Sequence, residues 1–357
     1  MNNLEKLKKA VNDAEFDALL LVSAVNRLYA TGFSSSSGYV LITPRDAFFI
    51  TDSRYIEAAR AVVSGAEVLL QTAEDKPAAI LNRLLAGAEV RTLAIEESSL
   101  TYSEFLAFSS ALKAELVKSD GLVDGLRNVK SEAELAAMIE TQRIAEKAFL
   151  RLLPELSRDL TEKQVANRLL FHMLDCGADD KSFDTIAVSS ANSSRPHGVP
   201  SDEKLTQGFL TIDFGAKKNG WVSDTTRTVY IGGAGKPSDE ERRVYDTVLQ
   251  AQLAGIAAIR AGVTGQEVDG AAREVIKNAG YGEYFGHGFG HGLGLEVHEA
   301  LAASVNVKTP LPEGGVISAE PGIYLPGRFG VRIEDVVYVE KDGCRDITEL
   351  GKELIVL

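Results

Sequence analysis

The sequence predicts an α+β protein in two parts: a smaller N-terminal α/β domain over residues 1–125, and a larger domain over 126–357 with helices on one face of an antiparallel sheet. Three observations predict it. Helical and strand patterns alternate up to about residue 125. Asp120–Gly125 is a Gly/Asp-rich connection that marks the boundary. Beyond it, two helices followed by strands occur twice, which reads as an internal pseudo-two-fold duplication. The halves share negligible sequence identity, so the repeat is one of topology.

In the first part, Leu4, Leu7 and Val11 mark one face of a charged amphipathic helix that opens with Met1–Lys9. Ala18–Val22, Tyr39–Ile42, Ala47–Thr51 and Arg91–Ile95 read as strands, and Arg54–Val63 and Pro77–Leu85 as helices. Ser34–Ser37 reads as a flexible polar loop rather than a nucleophile, because no His or Cys precedes His172.

In the second part, Ser131 with Glu134 three residues on forms a capping box, and Leu135, Met138 and Ile139 begin the apolar stripe of its helix. A helix follows over about Thr161–Cys176, stopped by Gly177. Strands are expected at Thr185–Ser189, Phe209–Phe214 and Ser223–Ile231. Ser238 with Glu241 caps the third helix, which Gly262 ends, and Thr264 opens the fourth, ending near Gly280. Val316–Glu320 and Val331–Val339 complete the strands.

Bulk properties bound the function. The chain has 357 residues, 45% hydrophobic and 25% charged, in the range of a soluble globular protein. A net charge of −13 argues against nucleic acid or an anionic membrane as partner. The first apolar run, Ala18–Val22, is too short for a signal core or a membrane span. Cys176 and Cys344 form no Cys-x-x-Cys pair and read as buried free thiols, which fits a reducing cytoplasm.

Five residues carry the chemistry: Asp213, Asp224, His291, Glu320 and Glu334. Four carboxylates and one imidazole form a hard-leaning donor set, suited to Mn²⁺, Co²⁺, Fe²⁺ or Zn²⁺ more than to Ca²⁺. Asn219-Gly220 is the preferred pair for a two-residue type I′ turn. That turn sets Lys218 opposite Trp221 and Gly215 opposite Asp224, so Asp213 and Asp224 share a face as diagonal neighbours about 7–8 Å apart. The other face carries Leu210, Ile212, Phe214, Val229 and Ile231, so one side of the pair is core and the other presents acid. Within Val331–Val339, Glu334 shares a face with Arg332, Val336 and Tyr338, and Asp335 lies opposite. Acids inside so β-prone a segment each need an opposite charge or a metal. By itself Glu320, which ends a strand before Pro321, reads equally well as a turn residue.

Gly286-His287-Gly288-Phe289-Gly290-His291-Gly292-Leu293-Gly294 places glycine at alternate positions. It allows close approach to a ligand or another strand, or forms a tight β-bulge loop. It fits no dinucleotide-binding register, and Gly232–Lys236 fails the P-loop spacing and reads as a turn. His172, on an apolar helix face, reads as structural, and His298-Glu299 lacks the second histidine of a zincin helix.

Together these residues resemble the proline-specific metallopeptidases of pita-bread fold: Xaa-Pro dipeptidase and aminopeptidase P, with creatinase and methionine aminopeptidase as relatives. The matching stretches are Ser193–His197, Ile212–Gly215, Ser223–Thr228, Gly286–Glu299, Ala319–Tyr324 and Arg332–Asp335. Thr31-Gly32-Phe33 and Thr51–Tyr55 match the family's N-terminal domain. The resemblance implies two divalent cations, Mn²⁺ foremost: Asp213 on one, His291 and Glu320 on the other, Asp224 and Glu334 bridging. It implies that hydroxide shared by the cations attacks the carbonyl before proline, with Glu320, His298 and His197 catalytic and His287, Arg332 and Tyr324 contacting a proline-containing di- or oligopeptide. It also implies a homodimer. Loss of the metal ligands would mark a metal-free binding protein or a creatinase-like amidinohydrolase on the same fold, and all five are present. Methionine aminopeptidase usually lacks the N-terminal domain.

Overall fold

The computed structural model describes residues 2–233 and 235–357 in two compact units, Met1–Arg127 and Asn128–Leu357. Met1, in the expected first helix, and Ala234, in the expected Gly232–Lys236 turn, lie outside the described residues.

The first unit is built on a mixed sheet of six strands, in the order Glu67–Leu70, Ala47–Thr51, Tyr39–Ile42, Ala18–Leu21, Thr92–Ile95 and Glu115–Lys118. Tyr39–Ile42 runs antiparallel to both its neighbours, and the other neighbours pair in parallel. Leu20, Leu41, Ile50, Leu93 and Ile95 pack against Ile80, Leu81 and Leu85 of the helix Pro77–Gly87. The strands Glu67–Leu70 and Glu115–Lys118 and the helices Ala24–Thr31 and Tyr102–Ala111 were not anticipated. Leu122–Asn128 is helical where a connection was expected. The Ser34–Ser37 segment is a loop but a fastened one: the Arg27 guanidinium donates to Ser35 O at 2.7 Å, and Ser36 Oγ lies 2.7 Å from Tyr55 Oη.

The second unit follows the expected duplicated α+β plan. Both predicted capping boxes, Ser131/Glu134 and Ser238/Glu241, are present, and the helices expected to start at Thr161 and Thr264 carry boxes as well, with Gln164 and Glu267. Helices Glu132–Leu152 and Glu162–Asp175 pack through Ala148, Phe149, Leu169 and Met173 on Leu210, Ile212, Phe214, Val229 and Ile231. Helices Asp239–Ala258 and Gly265–Asn278 pack through Val244, Val248, Val268 and Ala272 on Phe289, Ile317, Ala319 and Val337.

The strands do not form one sheet, however. They divide into four antiparallel ladders. The principal two are Thr225–Ile231, Gly208–Phe214, Ile186–Ser189, and Glu299–Ala303, Gly290–Gly292, Val316–Ala319, Asp335–Val339, Cys344–Asp346. The expected strand Val331–Val339 is broken at Ile333-Glu334, because the chain changes ladders there. Phe329–Arg332 pairs with Gly322–Leu325, and Asp335–Val339 with Val316–Ala319. Val336 and Tyr338 consequently pack near Leu135, Met138 and Val222 rather than sharing a ladder face with Glu334. Cys176 and Cys344 are unpaired but half-buried, not buried as expected. No helix among the described residues is long and apolar enough to cross a membrane.

Candidate metal centre

The site begins at the hairpin. Asn219 and Gly220 adopt φ values of 51° and 90°, and Lys218 pairs with Trp221 as the Asn-Gly turn requires. The register continues down the longer strands, pairing Asp213 with Thr226. Asp224 lies in the gap between Trp221–Val222 and Thr225–Ile231. The acid face is narrower than the alternation suggested. Phe209 and Tyr230 on it join the hydrophobic core, and Thr211 and Thr228 pair at 3.1 Å in its middle, so acid occupies only the end nearest the turn.

The alternating glycines place the imidazole. Gly290–Gly292 is a short strand between Glu299–Ala303 and Val316–Ala319, with a β-bulge at His291/Gly292. A Cβ on Gly290 would lie 1.9 Å from Ser318 O, so only glycine permits this approach. His291 N donates to Ser318 Oγ at 3.0 Å, a second tie between the two strands. Its Nδ1 lies 3.2 Å from Gly292 O, which directs Nε2 at the acids: 3.2 Å from Glu320 and 3.7 Å from Asp224. Glu334 is delivered by the ladder change, its amide donating to Thr226 O at 3.1 Å and its carboxylate accepting from Thr226 Oγ1 at 2.7 Å.

Asp224, His291 and Glu334 thus each bring one ligand atom to within 4.8 Å of the other two. Glu320 reaches this group through His291, and Ser318 Oγ donates to it at 3.3 Å. Asp213 turns its Oδ2 to Arg332 at 2.6 Å, while its Oδ1 is buried with no hydrogen-bond partner in the protein. The electrostatics follow from crowding. Burial and then the neighbouring carboxylates, Asp213 for one and Asp224 for the other, push Asp224 and Glu334 well above the usual carboxylate range. Burial raises Asp213 too, against the opposing pull of Arg332. Burial works against a charged His291, but the Glu320 hydrogen bond and the Asp224 charge outweigh it and push the imidazole up to about 9. A divalent cation bound here would compete with the protons that such raised carboxylates favour.

A cavity of about 680 Å³ collects the five residues together with His197, His287, His298, Tyr324 and Arg332. Every site residue expected from the sequence therefore lines one space. Arg332 is held on several sides, by Asp213, by Thr226 Oγ1 at 3.0 Å and by Tyr324 Oη at 2.9 Å. His287 Nε2 lies 3.0 Å from the same Tyr324 hydroxyl, and burial lowers the His287 pKa. Burial, then the His291 charge, lowers that of His298, whose ring centroid is 4.3 Å from that of His291. His172 is elsewhere, with Nε2 2.8 Å from Glu155. Sequence reasoning missed Thr226 and Ser318, the hydroxyls that orient Glu334 and Glu320. Their only signal is adjacency to ligands in the matched stretches.

Residues 136–341 match metallopeptidase family M24, and residues 3–129 the creatinase/prolidase N-terminal domain. The chain is similar to the uncharacterized peptidase YqhT of Bacillus subtilis, at 41% identity over 99% of each chain. Among solved structures it is similar to the Xaa-Pro dipeptidase from Bacillus anthracis, at 40% identity, 99% of each chain and a TM-score of 0.94. It is also similar to the X-Pro aminopeptidase from Thermotoga maritima MSB8, at 37% identity, 98% of this chain, 100% of that one and a TM-score of 0.92.

Proposed function

The chain belongs to metallopeptidase family M24, and on that premise we propose that it hydrolyses the peptide bond before proline, using two divalent cations held by Asp213, Asp224, His291, Glu320 and Glu334. The observation that carries this reading is the approach of Asp224, His291 and Glu334 to within 4.8 Å of one another in a cavity that Asp213 and Glu320 also line. The donor set fits such ions: Asp213 Oδ1 is buried without a partner, and burial together with neighbouring carboxylates pushes Asp224 and Glu334 toward their protonated forms. When bound, the cations supply a nucleophile from water near neutral pH and polarise the scissile carbonyl.

The chain's own groups do the rest. Arg332 anchors Asp213 through Oδ2, and Thr226 and Ser318 fix Glu334 and Glu320. Glu320 takes the proton that water loses on attack and returns it to the departing proline nitrogen. His298 and His197 donate hydrogen bonds on the carbonyl-oxygen and leaving-group sides. His287, Tyr324 and Arg332 contact the bound peptide. An Xaa-Pro bond is a tertiary amide with no N–H, so shape admits it without a paired acceptor. Mn²⁺ suits so carboxylate-rich a set. Residues 126–357 carry the catalysis and 1–125 form the accessory domain. The protein acts in the cytoplasm, as its unpaired cysteines suit, and as a homodimer, the commonest closed assembly.

The test is metal analysis together with hydrolysis of a Xaa-Pro dipeptide and a Xaa-Pro-Yaa tripeptide after loading with Mn²⁺. Two metal equivalents per chain and cleavage of either peptide, with an Xaa-Ala control untouched, are expected. Full loading with no turnover of either peptide would overturn the reading.

A further inference from the structure

A buried carboxylate outside the metal centre is tied to a loop that reaches the cavity. Glu162, 2% exposed, opens the helix Glu162–Asp175, where the helix dipole favours an anion. Its Oε1 accepts from Ser189 N at 2.6 Å and Ser189 Oγ at 3.0 Å. Its Oε2 accepts from Ser201 N at 2.9 Å, Ser201 Oγ at 2.7 Å and Asn192 Nδ2 at 2.8 Å. Ser189 ends the strand Ile186–Ser189, and the loop from there to Ser201 carries His197, so one side chain closes that loop at its base. Burying a charge is costly unless donors satisfy it, and a buried network so satisfied fixes one conformation.

The rest of the loop is fastened to the site. Gly330 N donates to Ser193 Oγ at 2.9 Å, and a Cβ on Gly330 would lie 2.1 Å from Ser193 O. Asn192 Nδ2 also donates to Val199 O at 3.2 Å, and Gly198 N to Arg195 O at 3.0 Å, which folds the segment around His197. Arg332 Nη1 donates to Pro196 O at 3.2 Å, and the same guanidinium holds Asp213. The residue before His197 is thus one side chain away from a proposed metal ligand. His197 itself is an exposed residue of the cavity wall, so its place depends on the loop beneath it.

We infer that Glu162 is a positioning residue: by clamping both ends of the 189–201 loop, its carboxylate sets His197 at the reacting peptide. The inference rests on the peptidase reading above and on the place it gives His197. The test is a double-mutant cycle of Glu162→Gln, which keeps the shape and removes the charge, with His197→Ala. It is read by kcat and KM on an Xaa-Pro peptide and by metal analysis. Glu162→Gln alone is expected to lower kcat about tenfold or more, the scale of a small misplacement, with KM and bound metal little changed. In the His197→Ala background the same change should cost less than about twofold, because residues that act as a unit do not add. Ser201→Ala deletes one donor and leaves the carboxylate. It should show a smaller loss with the same dependence on His197, and it carries the test if the Gln variant does not fold. A kcat loss of equal size in both backgrounds, loss of bound metal or an unchanged kcat would overturn the assignment. Failure of the native enzyme on every Xaa-Pro peptide would instead sink the peptidase reading, and native kcat in His197→Ala would sink the role of His197; either takes this inference with it.

Discussion

Glu334 and Asp335 are consecutive acids, both buried, in opposite electrostatic settings. Asp335 meets the Arg227 guanidinium at 2.7 Å, the Lys352 ammonium, and Gln252 Nε2 at 2.8 Å. Burial works against its charge, but Arg227 and Lys352 outweigh it and hold its pKa below the usual carboxylate value. Glu334 meets a threonine hydroxyl and three other carboxylates, and burial with the Asp224 charge drives its pKa well up. Depth is common to both, so the sign of the neighbours decides. The fold balances charge around Asp335, where structure alone is served, and leaves an acid excess around Glu334, where we place the cations.

The strongest challenge to this contrast is Asp224→Asn. Activity should fall to background and bound metal should drop, as measured by turnover and elemental analysis. The metal-free variant should melt no lower than the metal-free native protein, because one repelling charge is gone. Next is Arg227→Met, which strands Asp335 without its guanidinium. Urea unfolding should show a loss of about 3–5 kcal/mol, the usual effect of breaking a buried ion pair. A loss under about 1 kcal/mol would mean that Lys352 alone balances the acid. His298→Ala should leave metal content intact and slow hydrolysis by about 10²-fold, the size expected for one preorganised donor. Unchanged kinetics would remove His298 from the reaction.

The smallest effect sharpens the comparison by pH. In chelated protein Asp224 and Glu334 have folded pKa values above their unfolded values near 4, so the folded state binds the extra protons. Their contribution to stability is complete below about pH 4 and is lost as pH rises through the folded values. Asp335, with its lowered value, contributes in the opposite sense, present above about pH 4 and lost on acidification. Metal requires deprotonated ligands, so loaded protein should gain on its chelated form as pH rises. Thermal melts of both forms from pH 5 to 8 should diverge upward. Parallel curves would show that the acid excess is relieved by something other than cations.

The sequence made some features legible because their causes are local. The Asn219-Gly220 turn and its register needed only the turn's own φ requirements, and each capping box needed only residues three apart. The need of Glu334 and Asp335 for partners was legible, but the partners were not: Arg227 is 108 positions away from Asp335. Glu299–Ala303 has helix-forming composition yet is a strand, because pairing with Gly290–Gly292 overrides propensity. The Tyr102–Ala111 helix lacks an apolar stripe, with none of its residues buried, although its Thr101/Glu104 capping box was there to be seen.

At Gly290, the hydrogen in place of a side chain acts as a depth gauge for His291. One added carbon would meet Ser318 O at 1.9 Å and force the strand outward, carrying the imidazole away from Glu320 while every donor atom remained in the chain. An engineer wishing to alter ion selectivity could therefore leave the five ligands alone and adjust the spacing between backbones.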